Sequence, residues 1–574
     1  MAGKRRRRKT YYVGGRPVAL VIDPTWRAVR VPAQAEPMGN VDDTAAELPL
    51  AEVGTGDTAD VGTDSGGFRV PGYNFVIYPV QPPAPLGNGG PTPGEAALAM
   101  GPDGGPANGA AERDWPVFRL GRDHRALAAD QVLVGSVEGV EVEPLVHAAL
   151  TRRLGADGYS FRPRAPRNGT VLLHSGTDPF VVSSILRRTR GIRFAEPDFV
   201  TLFNPVPPDE AGLAPAIPVP GAIAASALMN AVAPAAAKGA TATPDPFEAL
   251  QVQLRRMGAF GAQEGRREVV VAVLDARVDV DHPDLQTAVI GTKDVLPPNS
   301  GDEADGHATA CAGLAAASAG NGQGGRGVAA GCGLLPVRFA RATRSTSITR
   351  TSGSVLDVAK AIDAAWQGGA WVISLSWVFA EATEITDAIK RAREQGRKKL
   401  GCVVVAGVGN DGGGVHFPAR LEGVLGVGAC TDNDEPKTRT SSDLQRNWSS
   451  CFGERVSLVA PGLAHLTTDA RGPLGYNARA GANGDYVANF RGTSASTAIV
   501  AGAAALVLCA NPCLREEQVR EILCKEAFRP PAHFPDPKGH HIRLGFGRLD
   551  VGAAVNEARR MLATGEVPCP EKTQ

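Results

Sequence analysis

From about residue 247 the chain carries four almost unbroken apolar segments, within "REVVVAVLDARVDVD", "CGLLPVRF", "AWVISLSW" and "LGCVVVAGVGN". A strand with one wet face alternates polar and apolar residues; these do not, so both of their faces must be covered. Segments of helical periodicity, "SVLDVAKAIDAAWQGG" and "ITDAIKRAREQG", lie between them. Apolar strands alternating with helices predict an α/β fold, a mainly parallel sheet with helices on both faces. In such folds ligands and catalytic groups gather at the carboxyl ends of the strands. Three of these strands end in a polar residue and a tight turn: Asp275, Ser376 and Asn410.

Upstream, the texture differs. After a basic tail (1–9), residues 10–202 read as a small α+β unit. Its stretch of about 36–114 is rich in Gly, Pro, Ala and Asp and reads as a flexible insertion. Beyond the insertion come a strand in "DQVLVGSV", a helix in "EPLVHAALTRRLG", a strand in "GTVLLHS", a helix in "DPFVVSSILRRTRG" and a strand in "IRFAEPDFVTLF". Residues 203–246 are Pro/Ala-rich with little periodicity and read as a linker. The apolar-strand domain then runs over 247–560, and 561–574 is a tail.

Sixty basic and sixty acidic residues cancel, so no whole-chain field points to nucleic acid or to a membrane surface. The longest apolar run, 498–510, is shorter than the roughly 18 residues of a membrane span. No signal-peptide pattern is read at the start, and the nine cysteines, odd in number, lack compact CxxC pairs. The expectation is a cytoplasmic protein with mostly free thiols.

"RGTSASTAIVAGAAALVLCANP" (491–512) sets hydroxyls at the mouth of an apolar helix. Ser and Thr there are good N-caps. A serine at that place can also be a nucleophile lying against free N–H groups and the positive end of the helix dipole, if a base and a carboxylate exist elsewhere. Candidates do exist. Asp275 closes "VVVAVLD", and a buried carboxylate needs a partner. His307 opens a small-residue helix in "GHATACAGL", and Asn410 could present a side-chain amide. Together they supply a carboxylate, a base, an oxyanion donor and a nucleophile, Ser494, with Ser496 and Thr497 left as caps.

That order, Asp, His, Asn, Ser, resembles the subtilisin-like (subtilase) serine peptidases. The resemblance covers roughly 247–556 and includes "VAVLDARVDVDHPDL", "GHATACAGL", "WVISLSW", "VVVAGVGNDG", "GTSASTAIVAGAAALVL" and "GFGRLDVGAAV". It implies a serine endopeptidase with Asp275, His307 and Ser494 as the catalytic triad and Asn410 in the oxyanion hole. It further implies that Ser376, Trp377 and Val378 pair with extended substrate, and that Gly407, Val408 and Gly409 wall the pocket for the residue before the scissile bond. "TYYVGGRPVALVIDPTWRAVRV" and "DQVLVGSV…IRFAEPDFV" resemble a subtilase propeptide, which implies an autoprocessed zymogen inhibited by its own N-terminal unit, with cleavage in 203–246.

The sequence departs from the family pattern at Ala276, Arg277, Ala308, Ala498 and Ile499. Arg277 puts a cation beside the catalytic carboxylate and is expected to point to solvent. It also keeps open an alternative, a catalytically restrained or inactive binding protein on the same fold. An α/β-hydrolase esterase is disfavoured, because the serine lies in "GTSAS" and not in GxSxG. No cofactor is required by this reading; calcium is admitted by the resemblance at "NGQGGRG" (321–327), where few carboxylates lie near in sequence.

Overall fold

The computed structural model describes residues 8–13, 16–30, 68–70, 75–79, 115–120, 124–174, 177–203, 244–297, 303–345, 348–477, 484–531 and 534–569. Most of the basic tail, most of the insertion and nearly all of the linker lie outside these residues.

Among the described residues, the N-terminal unit contains β1 (Arg8–Val13), β2 (Arg16–Arg30), β3 (Phe68–Arg69), β4 (Phe75–Pro79), β5 (Trp115–Leu120) and β6 (His124–Ser136). It continues with β7 (Tyr159–Ala165), β8 (Asn168–Leu173) and β9 (Ile192–Phe203), and with helices α1 (Val142–Leu154) and α2 (Pro179–Arg187). The strands pair antiparallel. Val132, Val134, Val146, Leu150, Val171 and Leu186 form the core between helices and sheet. Asp178 caps α2 by accepting from the Phe180 amide, with Pro179 at the first helical position. The stretch 36–114 is more than an insertion: β3 and β4 lie inside it and β4 pairs with β2. Phe75 and Ile77 are buried with Trp115. A short apolar strand is lost to view when composition is averaged over a Gly/Pro-rich window.

The second unit is built on β10 (Val270–Asp275), β11 (Lys293–Asp294), β12 (Gly333–Arg338), β15 (Val372–Leu375), β16 (Val403–Gly407), β17 (Leu425–Cys430) and β18 (Leu458–Pro461). They form one parallel sheet in the order β11-β12-β10-β15-β16-β17-β18. Every residue of β10, β12, β15, β16, β17 and β18 is buried, as strands covered on both faces require. Helices α3 (Gly306–Ala316) and α6 (Thr493–Ala510) pack on each other and on the sheet; α4 (Val355–Gln367) and α5 (Thr383–Lys399) form another packed pair. In α3 the small residues allow close approach: a Cβ at Gly313 would stand 2.2 Å from Thr468 Oγ1. The chain leaves β10 for β12 on one side and β15 on the other, so Asp275, at the end of β10, stands at a topological switch, the place where such sheets carry their sites.

Two features differ from the sequence reading. Helix α6 spans 18 residues and is apolar enough to cross a membrane, yet it is wholly buried inside the protein. The C-terminal tail is not loose throughout: helix α8 (Val551–Ala563), which follows α7 (Glu516–Lys525), runs into it, and a Cys513–Cys569 disulfide ties it down. The other seven cysteines are free thiols.

The units share a sheet. A hairpin of β13 (Arg341–Ser345) and β14 (Ile348–Ser354) leaves the second unit, and Thr351–Ser354 pair antiparallel with Val200–Phe203 of β9. Just before this join, two carboxylates of β9 sit on helix starts. Glu196 accepts from the Thr383 amide (2.8 Å) and hydroxyl at the head of α5, and Asp198 from the Leu356 amide (3.2 Å) at the head of α4. Tyr11 donates to the Glu381 carbonyl at 2.7 Å, and Arg164 pairs with Glu384 and Arg193 with Asp387.

Candidate active site

Strand β10 ends in Asp275, which is fully buried. Its Oδ1 accepts from the Ala276 amide at 2.8 Å and from the Trp377 indole N–H at 3.0 Å; its Oδ2 accepts from His307 Nδ1 at 2.9 Å. The carboxylate therefore has three donors, which offsets its desolvation. His307 sits in the first turn of α3, placed there by the cap that Asp305 makes to the Ala308 amide. Burial disfavours the imidazolium, but the charge and hydrogen bond of Asp275 outweigh it and raise the His307 pKa above its ordinary value. Its Nε2 is buried without a hydrogen-bond partner.

Helix α6 starts at Thr493 after Gly492, whose φ of 107° is the left-handed turn that glycine permits. The N-cap residue, Gly492, has no side chain to cap the helix, and of the first-turn amides that of Thr493 is taken by Asn410. Ser496 and Thr497, expected as caps, instead donate to backbone carbonyls, Ser496 to Ala460 and Pro461 and Thr497 to Thr493. The helix start thus keeps its electropositive character where Ser494 lies. The hydroxyl of Ser494 donates to the Ser376 carbonyl at 3.3 Å, and the Ser376 hydroxyl donates to the Ser494 carbonyl at 3.2 Å. Asn410 follows β16, and its Oδ1 accepts from the Thr493 amide (2.9 Å) and hydroxyl (3.0 Å). That fixes the amide plane and leaves the NH₂ as its outward donor. Asp275, His307, Asn410 and Ser494 thus come from four elements separated in sequence, and hydrogen bonds tie them in two pairs, His307 to Asp275 and Asn410 to the residue before Ser494.

The residues expected to bind substrate fall into two groups. Ser376, Trp377 and Val378 follow β15 and are buried, but the strand that β9 joins is β14, not this segment. Trp377 meets β9 through its ring instead. Phe203, the last residue of β9, is stacked on Trp377 (centroids 4.5 Å) and on His124 (5.2 Å), and its edge meets His307 at 5.1 Å. Gly407, Val408 and Gly409 lead from β16 to Asn410. Here Val408 is held by backbone bonds to Val427 and His416, and Gly409, at φ 107°, packs against His416 and Cys451. Sequence reasoning missed β14, although the Thr/Ser/Ile alternation in "SITRTSGS" is a strand signal. It also missed the Trp377 indole, for which the sequence carries no signal. Arg277 is not directed wholly to solvent: it is half-buried and close enough to Arg338 to lower that residue's pKa, although burial of Arg338 contributes more.

The loop at 321–327 is nearer to carboxylates than its sequence suggests. Asn321 donates to Asp284 Oδ1 at 2.9 Å, and Asp284 Oδ2 is buried with no hydrogen-bond partner. Asp245 holds the Gly320, Asn321 and Gly322 amides. A buried carboxylate oxygen without a donor, beside an amide oxygen, fits a hard cation such as calcium by donor chemistry.

Residues 266–550 match the family model described as the Subtilase family, Peptidase_S8. The chain is 32% identical over 258 residues to Subtilisin Savinase of Lederbergia lenta, of which it covers 81%. It is 33% identical over 323 residues to a "Calcium-dependent protease" of Nostoc sp., covering 50% of this chain and 46% of that one, so it spans about half the length of that relative. The structure of fervidolysin from Fervidobacterium pennivorans superposes with a TM-score of 0.52 at 21% identity, over 74% of this chain and 61% of that one, which shows the fold alone. By its matched residues and its identity to Subtilisin Savinase, the chain belongs to the subtilase family.

Proposed function

We propose that the chain is a serine endopeptidase made as an autoinhibited zymogen. The observation that carries this is the Asp275–His307 hydrogen bond, with Ser494 at a helix start and the end of β9 packed on His307. In the reaction Ser494 Oγ attacks the peptide carbonyl, His307 takes its proton and later gives it to the leaving amine, and Asp275 holds the imidazole tautomer. The Asn410 amide and the Ser494 backbone N–H would receive the oxyanion of the tetrahedral intermediate, which collapses to an acyl-enzyme that water hydrolyses. Extended substrate would add a strand to β14, as β9 does, with Trp377 covering its side chains.

The same geometry supports the restrained state. Phe203 lies against His307, whose Nε2 has no hydrogen-bond partner, while the Ser494 hydroxyl donates to the Ser376 carbonyl, so nucleophile and base are not hydrogen-bonded in this conformation. The N-terminal unit would act as propeptide and inhibitor, released after cleavage within 203–246. Calcium would be held by Asp284 with Asn321, bracing the loop at 321–327 rather than entering the chemistry. A cytoplasmic setting belongs to this reading, with seven free thiols for it and the Cys513–Cys569 disulfide against it. Labelling with a fluorophosphonate probe tests the activity: label on wild-type protein, absent from Ser494→Ala, is expected. An unlabelled wild type freed of its N-terminal unit would favour the binding-protein reading.

A further inference from the structure

Asp411, His416 and Cys451 form a cluster against Gly409. One oxygen, nitrogen or sulfur atom from each lies within 4.8 Å of the others. Cys451 Sγ donates to Asp411 Oδ1 at 2.7 Å, and His416 Nε2 stands 3.3 Å from Asp411 Oδ2. Gly409 leaves room for them: a Cβ there would lie 2.4 Å from His416 Cδ2 and 3.1 Å from Cys451 Sγ. The second observation comes from the other unit. His124, at the start of β6, is 1% exposed, and neither of its ring nitrogens has a hydrogen-bond partner. Its ring meets His416 edge to face, with centroids 6.4 Å apart. An imidazole buried with both nitrogens unsatisfied is costly, and a structure retains it where a ligand completes it.

We propose that Asp411, His416 and Cys451 bind a zinc-class divalent metal ion, and that His124 supplies the fourth ligand while the N-terminal unit is docked. Thiolate, imidazole and carboxylate together select a borderline ion over calcium or magnesium. Tetrahedral ligands at zinc bond lengths lie roughly 3.5 Å from one another. The three clustered residues need only small side-chain adjustments, whereas His124, outside that 4.8 Å group, must turn towards it from its place beside the His416 ring. On binding, the Cys451 S–H proton now given to Asp411 leaves to solvent as the metal–sulfur bond forms; nothing is oxidised or reduced. The ion would have two effects. It would link the two units across their interface, and it would sit one residue from Asn410.

Metal binding is read directly, so the test stands whether or not the chain hydrolyses peptides. Full-length Ser494→Ala, stripped with a chelator, is titrated with cobalt(II) as the probe and then with zinc. The expected result is one ion per chain, with a thiolate-to-cobalt charge-transfer band and the visible bands of a tetrahedral site, both displaced by zinc. Cys451→Ser should remove the charge-transfer band, and Cys311→Ser, at a buried free cysteine beside Asp275 and His307, should leave it. His124→Phe should weaken binding at least tenfold while the band persists. In the unaltered Ser494→Ala chain, zinc should protect Cys451 from alkylation as mapped by mass spectrometry, a readout that needs no second substitution. Absence of stoichiometric binding, or a band that survives Cys451→Ser, overturns the site. Unchanged affinity in His124→Phe overturns the link between the units.

Discussion

The two sheets are held together by different physics. In the parallel sheet the strands β10, β12 and β15 to β18 are buried throughout, and the helices beside them bury Ala, Val, Leu and Ile. The antiparallel sheet of the N-terminal unit has a core of its own, and its join to the second unit is mixed: Phe199 and Phe203 share an apolar cluster with Phe339 and Trp377, while Glu196 and Asp198 sit on helix starts, Tyr11 on a carbonyl, and Arg164 and Arg193 in ion pairs. Apolar burial is insensitive to pH, whereas buried carboxylates are not. A unit attached through titratable groups can be released without unfolding either partner. The unit that must persist is sealed by hydrocarbon alone; the unit proposed to leave shares part of that seal and adds buried carboxyls that pH can address.

The largest expected effect breaks the catalytic side of this contrast and spares the other. Ser494→Ala removes the nucleophile and should lower peptide hydrolysis by about 10⁴-fold or more while leaving both sheets folded. On a denaturing gel the variant should stay at its full 59.6 kDa, where the wild type separates into two fragments. Residual hydrolysis of a few per cent, or a wild type that stays whole yet works at full rate, would contradict the zymogen reading. Next in size is Asn410→Ala, expected to lower kcat by about 10²–10³ with KM little changed, the cost measured for an oxyanion donor in a subtilisin. A change confined to KM would make Asn410 only the clamp on Thr493 that its Oδ1 already is.

A smaller effect sharpens the interface side. Burial pushes Glu196 up to about 8 and Asp198 up to about 7, against hydrogen bonds from Thr383 and Leu356 that favour their ions. Each carboxyl therefore holds its proton more firmly when docked than when free. Docking is then strongest below the ordinary carboxylate range and weakens as pH rises towards 7 to 8. The expected slope is about tenfold in affinity per pH unit for each titrating carboxyl. Size-exclusion chromatography of the cleaved complex between pH 5 and pH 8 measures it, and Glu196→Gln should flatten the slope. A complex that tightens with rising pH would show that the helix starts hold both carboxylates ionised.

Legibility follows the same division. Near-continuous apolar runs such as 269–274 declare a two-sided parallel sheet, because no other arrangement buries them. The positions of Asp275, Ser376 and Asn410 at or just beyond strand ends follow from where the apolar runs stop. What the sequence hides is long-range and polar. That β14 would receive β9, that the Trp377 indole would reach Asp275, and that Asp284 would meet Asn321 each depend on partners far apart in the chain. None leaves a periodic trace. Strand β4 was hidden differently, by Gly/Pro-rich flanks that mask a short buried run. The caps went wrong because a hydroxyl near a helix start has other outlets than an amide ahead of it: Ser496 takes carbonyls of a neighbouring strand, and Thr497 the Thr493 carbonyl one turn back. Local spacing cannot choose between them; the packing of α6 against β18 does.

The smallest effect concerns the cation next to the carboxylate. Arg277 stands two residues beyond Asp275, and charge at that distance could in principle weaken the His307 base. The electrostatics argue otherwise. The charges that set the His307 pKa are Asp275, which also hydrogen-bonds to it, and Asp305, and their net effect is to raise it despite burial. Arg277 instead acts on Arg338, which in turn is bound to Asp294 at 3.1 Å. Its backbone carbonyl does have a structural task, accepting from the Asp305 amide just before the helix that carries His307, and a substitution leaves that carbonyl in place. Arg277→Gly should therefore change kcat/KM on a neutral peptide by less than tenfold. The acid limb of its pH–rate profile should stay above the ordinary histidine value, since a raised pKa keeps His307 protonated, and so unable to act as a base, to higher pH. A gain of several hundredfold would mean that the natural enzyme is restrained by this cation, and would shift weight from the N-terminal unit to Arg277 as the brake on the site.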